Sequence, residues 1–198
     1  MKKLIPILLA VFALASCEKD PDMGKLDDNY LVYTNYDKKA DFKVPTFYLA
    51  DKILVISDSK EPEYLEGEGA EQILAAYTDN MEARGYEAAA DQESADLGIQ
   101  VSYIASTYYF TSYTQPEWWW GYPGYWGGNW GGGWYYPYAV TYSYSTNSFL
   151  TEMVNLKAEQ GDSKKLPVVW TSYLTGFETG SKAINRTLAV EAVNQSFA

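Results

Sequence analysis

Few residues in this chain could carry out covalent or metal chemistry, because it has no histidine and a single cysteine, Cys17. The absence of imidazole excludes Ser-His-Asp and Cys-His catalysis and histidine-ligated zinc or iron, and one thiol forms no internal disulfide. What remains is 26 Asp and Glu. Two carboxylates facing each other across a cleft could hydrolyse a glycosidic bond. A small carbohydrate-active or other carboxylate-dependent hydrolase is therefore the alternative to a non-catalytic protein, and we expect no metal or other cofactor.

Residues 1–16, MKKLIPILLAVFALAS, have the organisation of a secretory signal peptide. Two lysines precede an apolar run of the usual length, which is too short to cross a bilayer as a helix. Small residues then lead directly into Cys17. This arrangement resembles the bacterial lipobox, in which the cysteine is lipidated and becomes the first mature residue. We therefore expect the lipid on Cys17 to attach the protein to the membrane.

Residues 17–28 are polar, contain proline and glycine and show no periodicity, which predicts a flexible tether. Glu18-Lys19-Asp20 resembles a signal for the outer face of the outer membrane, and the periplasmic face stays open as an alternative. Removal of Lys2 and Lys3 leaves 13 Lys and Arg against 26 Asp and Glu. Such an acidic chain repels phosphate backbones, so nucleic acid is not an expected partner. We expect an outer-membrane lipoprotein, and the sequence does not determine its oligomeric state.

The stretch WWWGYPGYWGGNWGGGWYYPY, residues 118–138, holds six of the seven tryptophans and seven of the 15 glycines. It belongs to a connection over residues 114–138 that is far longer than the roughly 2 to 5 residues of most hairpin loops. Aromatic side chains of this kind stack on sugars or contact partner proteins. The candidate binding residues are Trp118, Trp119, Trp120, Tyr122, Tyr125, Trp126, Trp130, Trp134, Tyr135 and Tyr136. Contact with the membrane interface, self-association and a loop without a ligand are the alternatives.

One α+β domain is predicted over residues 29–198. Strands are expected where β-branched and aromatic residues cluster or alternate, at 29–36, 47–56, 97–111, 139–157 and 166–173. Apolar residues at helical spacing predict two helices, at 70–84 and from Ser181 onwards, with Gly85 as a left-handed C-terminal cap of the first. Each helix has one apolar face, and many strands are joined by short turns. We therefore expect an antiparallel sheet of about five strands with both helices packed on one face, in the order β-β-α-β-β-β-α.

The segment TNYDKKADFKVPTFYL, residues 34–49, resembles the opening motif of the small lipoproteins grouped as the domain of unknown function 4136 family. Arg84-Gly85-Tyr86, Ala95-Asp96-Leu97 and the strand KLPVVW at residues 165–170 are similar to later segments of that family. The stretch TNSFL at residues 146–150 departs from the family pattern, because it lacks a Gly-Thr-Leu step. The resemblance implies an outer-membrane-associated α+β lipoprotein domain and implies no activity.

Four residues near these motifs have simple structural interpretations. Asp37 and Asp41 are typical of turn-capping acids, and Phe42 is typical of a core residue. Trp170, the one tryptophan outside the aromatic segment, lies on a predicted strand and is expected in the core rather than at a ligand.

Overall fold

The computed structural model of the chain describes residues 30–57, 63–105, 109–110, 134–138, 142–143, 147–159, 165–177 and 185–198. The helices are α1 (Glu68–Ala83) and α2 (Arg186–Ser196). The strands are β1 (Leu31–Tyr36), β2 (Thr46–Leu49), β3 (Ile53–Ile56), β4 (Glu63–Leu65), β5 (Glu87–Ala88), β6 (Leu97–Ile104), β7 (Tyr109–Phe110), β8 (Trp134–Tyr135), β9 (Tyr142–Ser143), β10 (Ser148–Asn155) and β11 (Leu166–Thr175).

Nine of these strands belong to one mixed sheet, whose continuous path is β1-β11-β10-β6-β2-β5. The long strands β6, β10 and β11 pair antiparallel, and β1 joins β11 in the same way. In contrast, β2 and β3 both run parallel to β6. The strands β7 and β9 form a separate two-stranded ribbon. The α+β class is therefore confirmed, but the prediction of a five-stranded antiparallel sheet is wrong.

The parallel pairs arise from the path of the chain between β4 and β6. Helix α1 lies between these strands and carries the chain back along the sheet, so β6 runs in the same direction as β2 and β3. A bend at Asp51 and Lys52 divides the predicted strand 47–56 into two. Phe47–Leu49 pair with Leu97–Ile99, and Leu54–Ile56 pair with Ser102–Ile104. One long strand thus has two short parallel neighbours along the same edge.

Helix α1 follows its sequence pattern closely. Ile73, Tyr77 and Met81, which recur every four residues, are all buried on one face. The helix ends at Ala83, and Gly85 has a φ of +87°, the left-handed conformation predicted for its cap. The buried face and the cap together explain both the orientation and the end of this helix.

Helix α2 begins later than predicted. Its first residue is Arg186, and Asn185 rather than Ser181 is the N-cap, because the Asn185 side chain accepts a hydrogen bond from the Leu188 N–H at 3.2 Å. Asparagine and serine are both favoured at N-caps, so the sequence pattern does not choose between them. Ser181 lies outside the described residues.

The main core lies between the sheet and the two helices. Ile73 and Tyr77 of α1 and Ala189 and Val193 of α2 pack into one cluster with Phe149 and other residues from the central strands. Both helices therefore cover the same face of the sheet, as predicted. Within the described ranges, neither helix is long and apolar enough to cross a membrane.

Candidate functional site

The C-terminal end of the aromatic segment packs on the sheet face opposite the helices. Trp134 and Tyr136 are 3% and 9% exposed and pack with Val154 and Val168 in a second core cluster. Tyr135, which lies between them, is 40% exposed. The side chains alternate because Trp134–Tyr135 forms β8, which pairs in parallel with the start of β11. This end of the segment therefore has a fixed position and presents Tyr135 outward.

A buried row of polar side chains lies beneath this end of the segment. Glu152 in the middle of β10 is fully buried, and it lies directly opposite Gln100 of β6 and Thr171 of β11. The Tyr136 hydroxyl donates a hydrogen bond to Glu152 Oε1. The Tyr138 hydroxyl lies 3.4 Å from Thr171 Oγ1 and donates to it. Two tyrosines of the aromatic segment thus provide hydrogen bonds that buried polar groups on the sheet require.

These positions change the interpretation of two candidate binding residues. Trp134 and Tyr136 are expected from sequence to present exposed rings, but both are buried, so their faces are not available to stack on a sugar or a partner. The reason is that the segment returns to the sheet at β8. There Trp134 and Tyr136 pack against apolar residues of the strands, and Tyr136 also bonds to Glu152. Tyr135 keeps the predicted exposure. Cys17 and the remaining candidates lie outside the described residues: Trp118, Trp119, Trp120, Tyr122, Tyr125, Trp126 and Trp130.

A second feature is a pocket on the helix side of the sheet, which we call the aromatic pocket. It has a volume of about 260 Å³ and is bounded by β1, β10, β11, the turn after β1 and the C-terminal ends of both helices. Five aromatic residues line it: Tyr36, Phe42, Tyr86, Trp170 and Phe197. The other lining residues are Thr34, Met81, Arg84, Met153, Ser196 and Ala198. Such an apolar cavity with a few polar groups is typical of a small-ligand site.

Ring contacts and one hydrogen bond hold the walls of the aromatic pocket. Trp170 and Phe197 pack with ring centroids 5.1 Å apart, and Tyr36 meets Phe42 edge to face at 6.4 Å. The Tyr86 hydroxyl donates to the Phe42 carbonyl at 2.8 Å. Trp170 is half-buried, so it is both a wall of the pocket and part of the core packing. Trp170 therefore packs against the core, as predicted, and it also lines the pocket.

Arg84 gives the aromatic pocket its charge. Its guanidinium carbon lies 5.0 Å from the centre of the Phe197 ring, and Nη1 donates to the Asn80 carbonyl at 3.2 Å. Burial raises the pKa of the nearby Tyr86 hydroxyl; the positive charge of Arg84 opposes this shift, and Asp41 adds to it. Among the described residues, the side chains that line the pocket include this one cation and no acidic side chain, and Ala198, the last residue of the chain, also belongs to the lining.

The residues of the aromatic pocket are not singled out by the sequence because they come from five separate segments. The sequence contains one indication of them, because several of these residues lie within the segments that carry the family resemblance. Tyr36 and Phe42 belong to residues 34–49, Tyr86 to Arg84-Gly85-Tyr86, and Trp170 ends residues 165–170. The turn between β1 and β2 has the predicted caps: Asp37 Oδ1 accepts from the Lys39 N–H and Asp41 Oδ1 from the Lys43 N–H, both at 2.9 Å.

A second cavity, of about 270 Å³, lies between α1 and the β2–β5 edge. Among the described residues, its lining includes a single acidic side chain, Asp51, and the lining of the aromatic pocket includes none. Neither of these cavities therefore presents the two facing carboxylates that a glycosidase requires. In the part of the chain that the structure describes, no group of three or more Cys, Asp or Glu side chains is arranged to hold a metal ion.

The fold and its two faces define a small α+β domain with a mixed sheet, two helices on one side and the end of an aromatic segment on the other. The model of the family described as Domain of unknown function (DUF4136) matches residues 32–198, and the chain belongs to this family. It is 86% identical to a DUF4136 family protein from Bacteroides thetaiotaomicron VPI-5482 whose crystal structure is known, with a TM-score of 0.73. The match covers 86% of this chain and 95% of that chain.

The PelC dodecamer from Paraburkholderia phytofirmans also aligns, over 85% of this chain and 94% of that chain. The identity is 9% and the TM-score 0.41, which carries no information on function. No curated protein matches the chain.

Proposed function

We propose that this DUF4136 protein is a non-catalytic outer-membrane lipoprotein, attached through lipid on Cys17, that binds an envelope glycan or an envelope protein through its aromatic segment. The observation that carries this proposal is the fixed C-terminal end of the segment. Trp134 and Tyr136 are buried on the sheet, Tyr136 bonds to Glu152, and Tyr135 remains exposed between them. A segment held at one end loses less conformational freedom when it binds, which favours recognition.

The composition of the segment supports contact rather than catalysis. Tryptophan and tyrosine are enriched at protein interfaces and contribute a large part of the binding energy there. The two described cavities lack a pair of carboxylates, and the chain has no histidine. The alternative of a carboxylate-dependent hydrolase would require a cleft with two acids about 5 to 10 Å apart. Turnover of an envelope polysaccharide by the purified chain would favour that alternative.

Lipid attachment is tested with Cys17→Ser in cells that process lipoproteins. We expect the wild-type chain to incorporate a radiolabelled fatty acid and to fractionate with the outer membrane, and the variant to do neither. The matched control is Ser16→Ala, which keeps a small residue before the cysteine and should be labelled normally. Equal labelling of Cys17→Ser and wild type would contradict the proposal.

Binding is tested with a variant that the structure helps to design. Residues 114–133 are replaced by a short Gly-Ser linker, while Trp134–Tyr138 are kept because Trp134, Tyr136 and Tyr138 contact the sheet. A second variant keeps the chain length and changes Trp118, Trp119, Trp120, Trp126 and Trp130 to alanine. Glycans and proteins from the envelope are presented separately to the full-length chain, and each ligand retained is then titrated. We expect both variants to keep the wild-type unfolding midpoint and to lose binding.

A further inference from the structure

The aromatic pocket is separate from the aromatic segment. The pocket lies on the helix side of the sheet, where Met153 and Trp170 face α1 and α2. Trp134 and Tyr136 lie on the opposite side, over Glu152 and Val154. A ligand in the pocket would therefore be bound independently of anything held by the aromatic segment.

The charge around the pocket contrasts with the rest of the molecule. The chain has a formal net charge of −11. In contrast, the one charged side chain among the described residues that line this cavity is positive, that of Arg84. Arginine has five N–H donors, and one of them is used on the Asn80 carbonyl. The Thr34 hydroxyl adds a polar group to the lining. Among the described side chains of the lining, the charge and the available donors are complementary to an anion.

The walls of the aromatic pocket indicate the size and the apolar character of the rest of the ligand. The rings of Tyr36, Phe42 and Trp170 line the cavity with apolar surface, and a volume of about 260 Å³ is slightly smaller than the roughly 300 Å³ at which drug-sized pockets begin. This volume suits a molecule with one ring and a short side chain. A planar carboxylate matches the planar guanidinium of Arg84, because the two can form parallel hydrogen bonds.

We propose that the aromatic pocket binds a small organic acid, whose ring-sized apolar body lies against Tyr36 and Trp170 and whose carboxylate pairs with Arg84. The pairing is a rim contact, because Arg84 is exposed. The apolar body therefore supplies most of the affinity, and the carboxylate supplies the preference for an acid over a neutral analogue.

The probe is 3-phenylpropionate, with its neutral amide as the matched ligand. Binding to the full-length chain is measured by equilibrium dialysis, with the same nonionic detergent on both sides of the membrane. We expect saturable binding of the acid, with the amide roughly threefold weaker, since an exposed ion pair is worth less than about a factor of five in affinity. Arg84→Gln should weaken binding of the acid about threefold and leave the amide unchanged, so that the preference for the acid disappears.

Two further variants test whether the ligand binds in the aromatic pocket. Thr34→Tyr, at an exposed strand position, should fill the mouth of the pocket and weaken both ligands at least about tenfold. Arg186→Gln is the matched control, because Arg186 lies at the opposite, N-terminal end of α2 and pairs with Glu68 at the surface. It should bind like wild type. Thermal unfolding of each variant confirms that it is folded.

Several results would overturn the assignment. They are no saturable binding up to about 5 mM acid, equal affinity for acid and amide, unchanged binding in Thr34→Tyr, or an equal loss in Arg186→Gln and Arg84→Gln. The outcome is independent of the aromatic segment, because the variant lacking residues 114–133 should bind 3-phenylpropionate normally.

Discussion

Tyr136→Phe removes one hydroxyl from the buried polar row and keeps the ring that packs beside Trp134 and Val154. The hydroxyl donates to Glu152 Oε1, and Glu152 is fully buried in the middle of β10. Because water cannot replace the lost donor without opening the packed segment, the glutamate oxygen loses a partner inside the protein. We therefore expect this single oxygen atom to have a measurable effect on the free energy of unfolding.

The magnitude follows from the burial. Loss of the partner of a buried acceptor costs about 1–3 kcal/mol. For a domain of this size, each kcal/mol lowers the melting temperature by about 2–4 °C. A cost of about 2 kcal/mol therefore lowers it by about 4–8 °C. Tyr135→Phe is the matched control, because Tyr135 is the adjacent tyrosine but is 40% exposed. It should stay within about 0.5 kcal/mol of wild type.

The assay is urea unfolding followed by circular dichroism, with the midpoint and slope fitted for each variant. Glu152→Gln provides a second background, in which Tyr136→Phe should cost less than it does in wild type. The difference between the two costs measures the coupling of the two side chains. Equal midpoints for Tyr136→Phe and Tyr135→Phe, or no coupling between Tyr136 and Glu152, would refute the account of how the aromatic segment is held on the sheet.

Three further perturbations test the core and the helix ends. Burial raises the pKa of Tyr77 to about 12, against about 10 in the unfolded chain. The stabilisation that the protonated Tyr77 hydroxyl adds to the free energy of unfolding is therefore complete below pH 10. It is lost as the pH rises through 12, and the total loss is about 2–3 kcal/mol. Tyr77→Phe should show a shallower loss of urea stability between pH 10 and 12, and an unchanged slope would contradict the role of this hydroxyl. Gly85→Ala should cost about 1 kcal/mol, since Gly85 has a φ of +87° and no atom within 4 Å of an added Cβ, so the cost is backbone strain alone. Asn185→Ala should cost about 1 kcal/mol through loss of the α2 cap; a wild-type unfolding midpoint in either variant would contradict the corresponding cap.

Local structure could be predicted where one element alone determines it. The spacing of Ile73, Tyr77 and Met81 specifies the buried face of α1, and Gly85 marks its end. The parallel pairing of β2 and β3 with β6 could not be predicted in this way, because it depends on contacts between residues about 50 positions apart. The short turns favoured hairpins, whereas helix α1 in fact returns the chain for a parallel pairing.

The candidate site shows the same division between local and distant information. The unusual composition of the aromatic segment is visible in the sequence, but the burial of Trp134 and Tyr136 is not, because Glu152, which bonds to Tyr136, lies 16 residues further on. An acid in the middle of a strand is more often on the exposed face. The aromatic pocket is harder still to predict, since Tyr36, Arg84 and Trp170 meet only in the folded chain.

The most direct test of binding through the aromatic segment is a titration of one purified envelope ligand against two proteins. These are the full-length chain and the variant in which residues 114–133 are replaced by a linker and Trp134–Tyr138 are kept. We predict that the variant has the wild-type unfolding midpoint and binds at least about tenfold more weakly, a loss of about 1.4 kcal/mol or more. Equal affinities of the two folded proteins for the ligand would contradict the proposal that this segment is the contact surface.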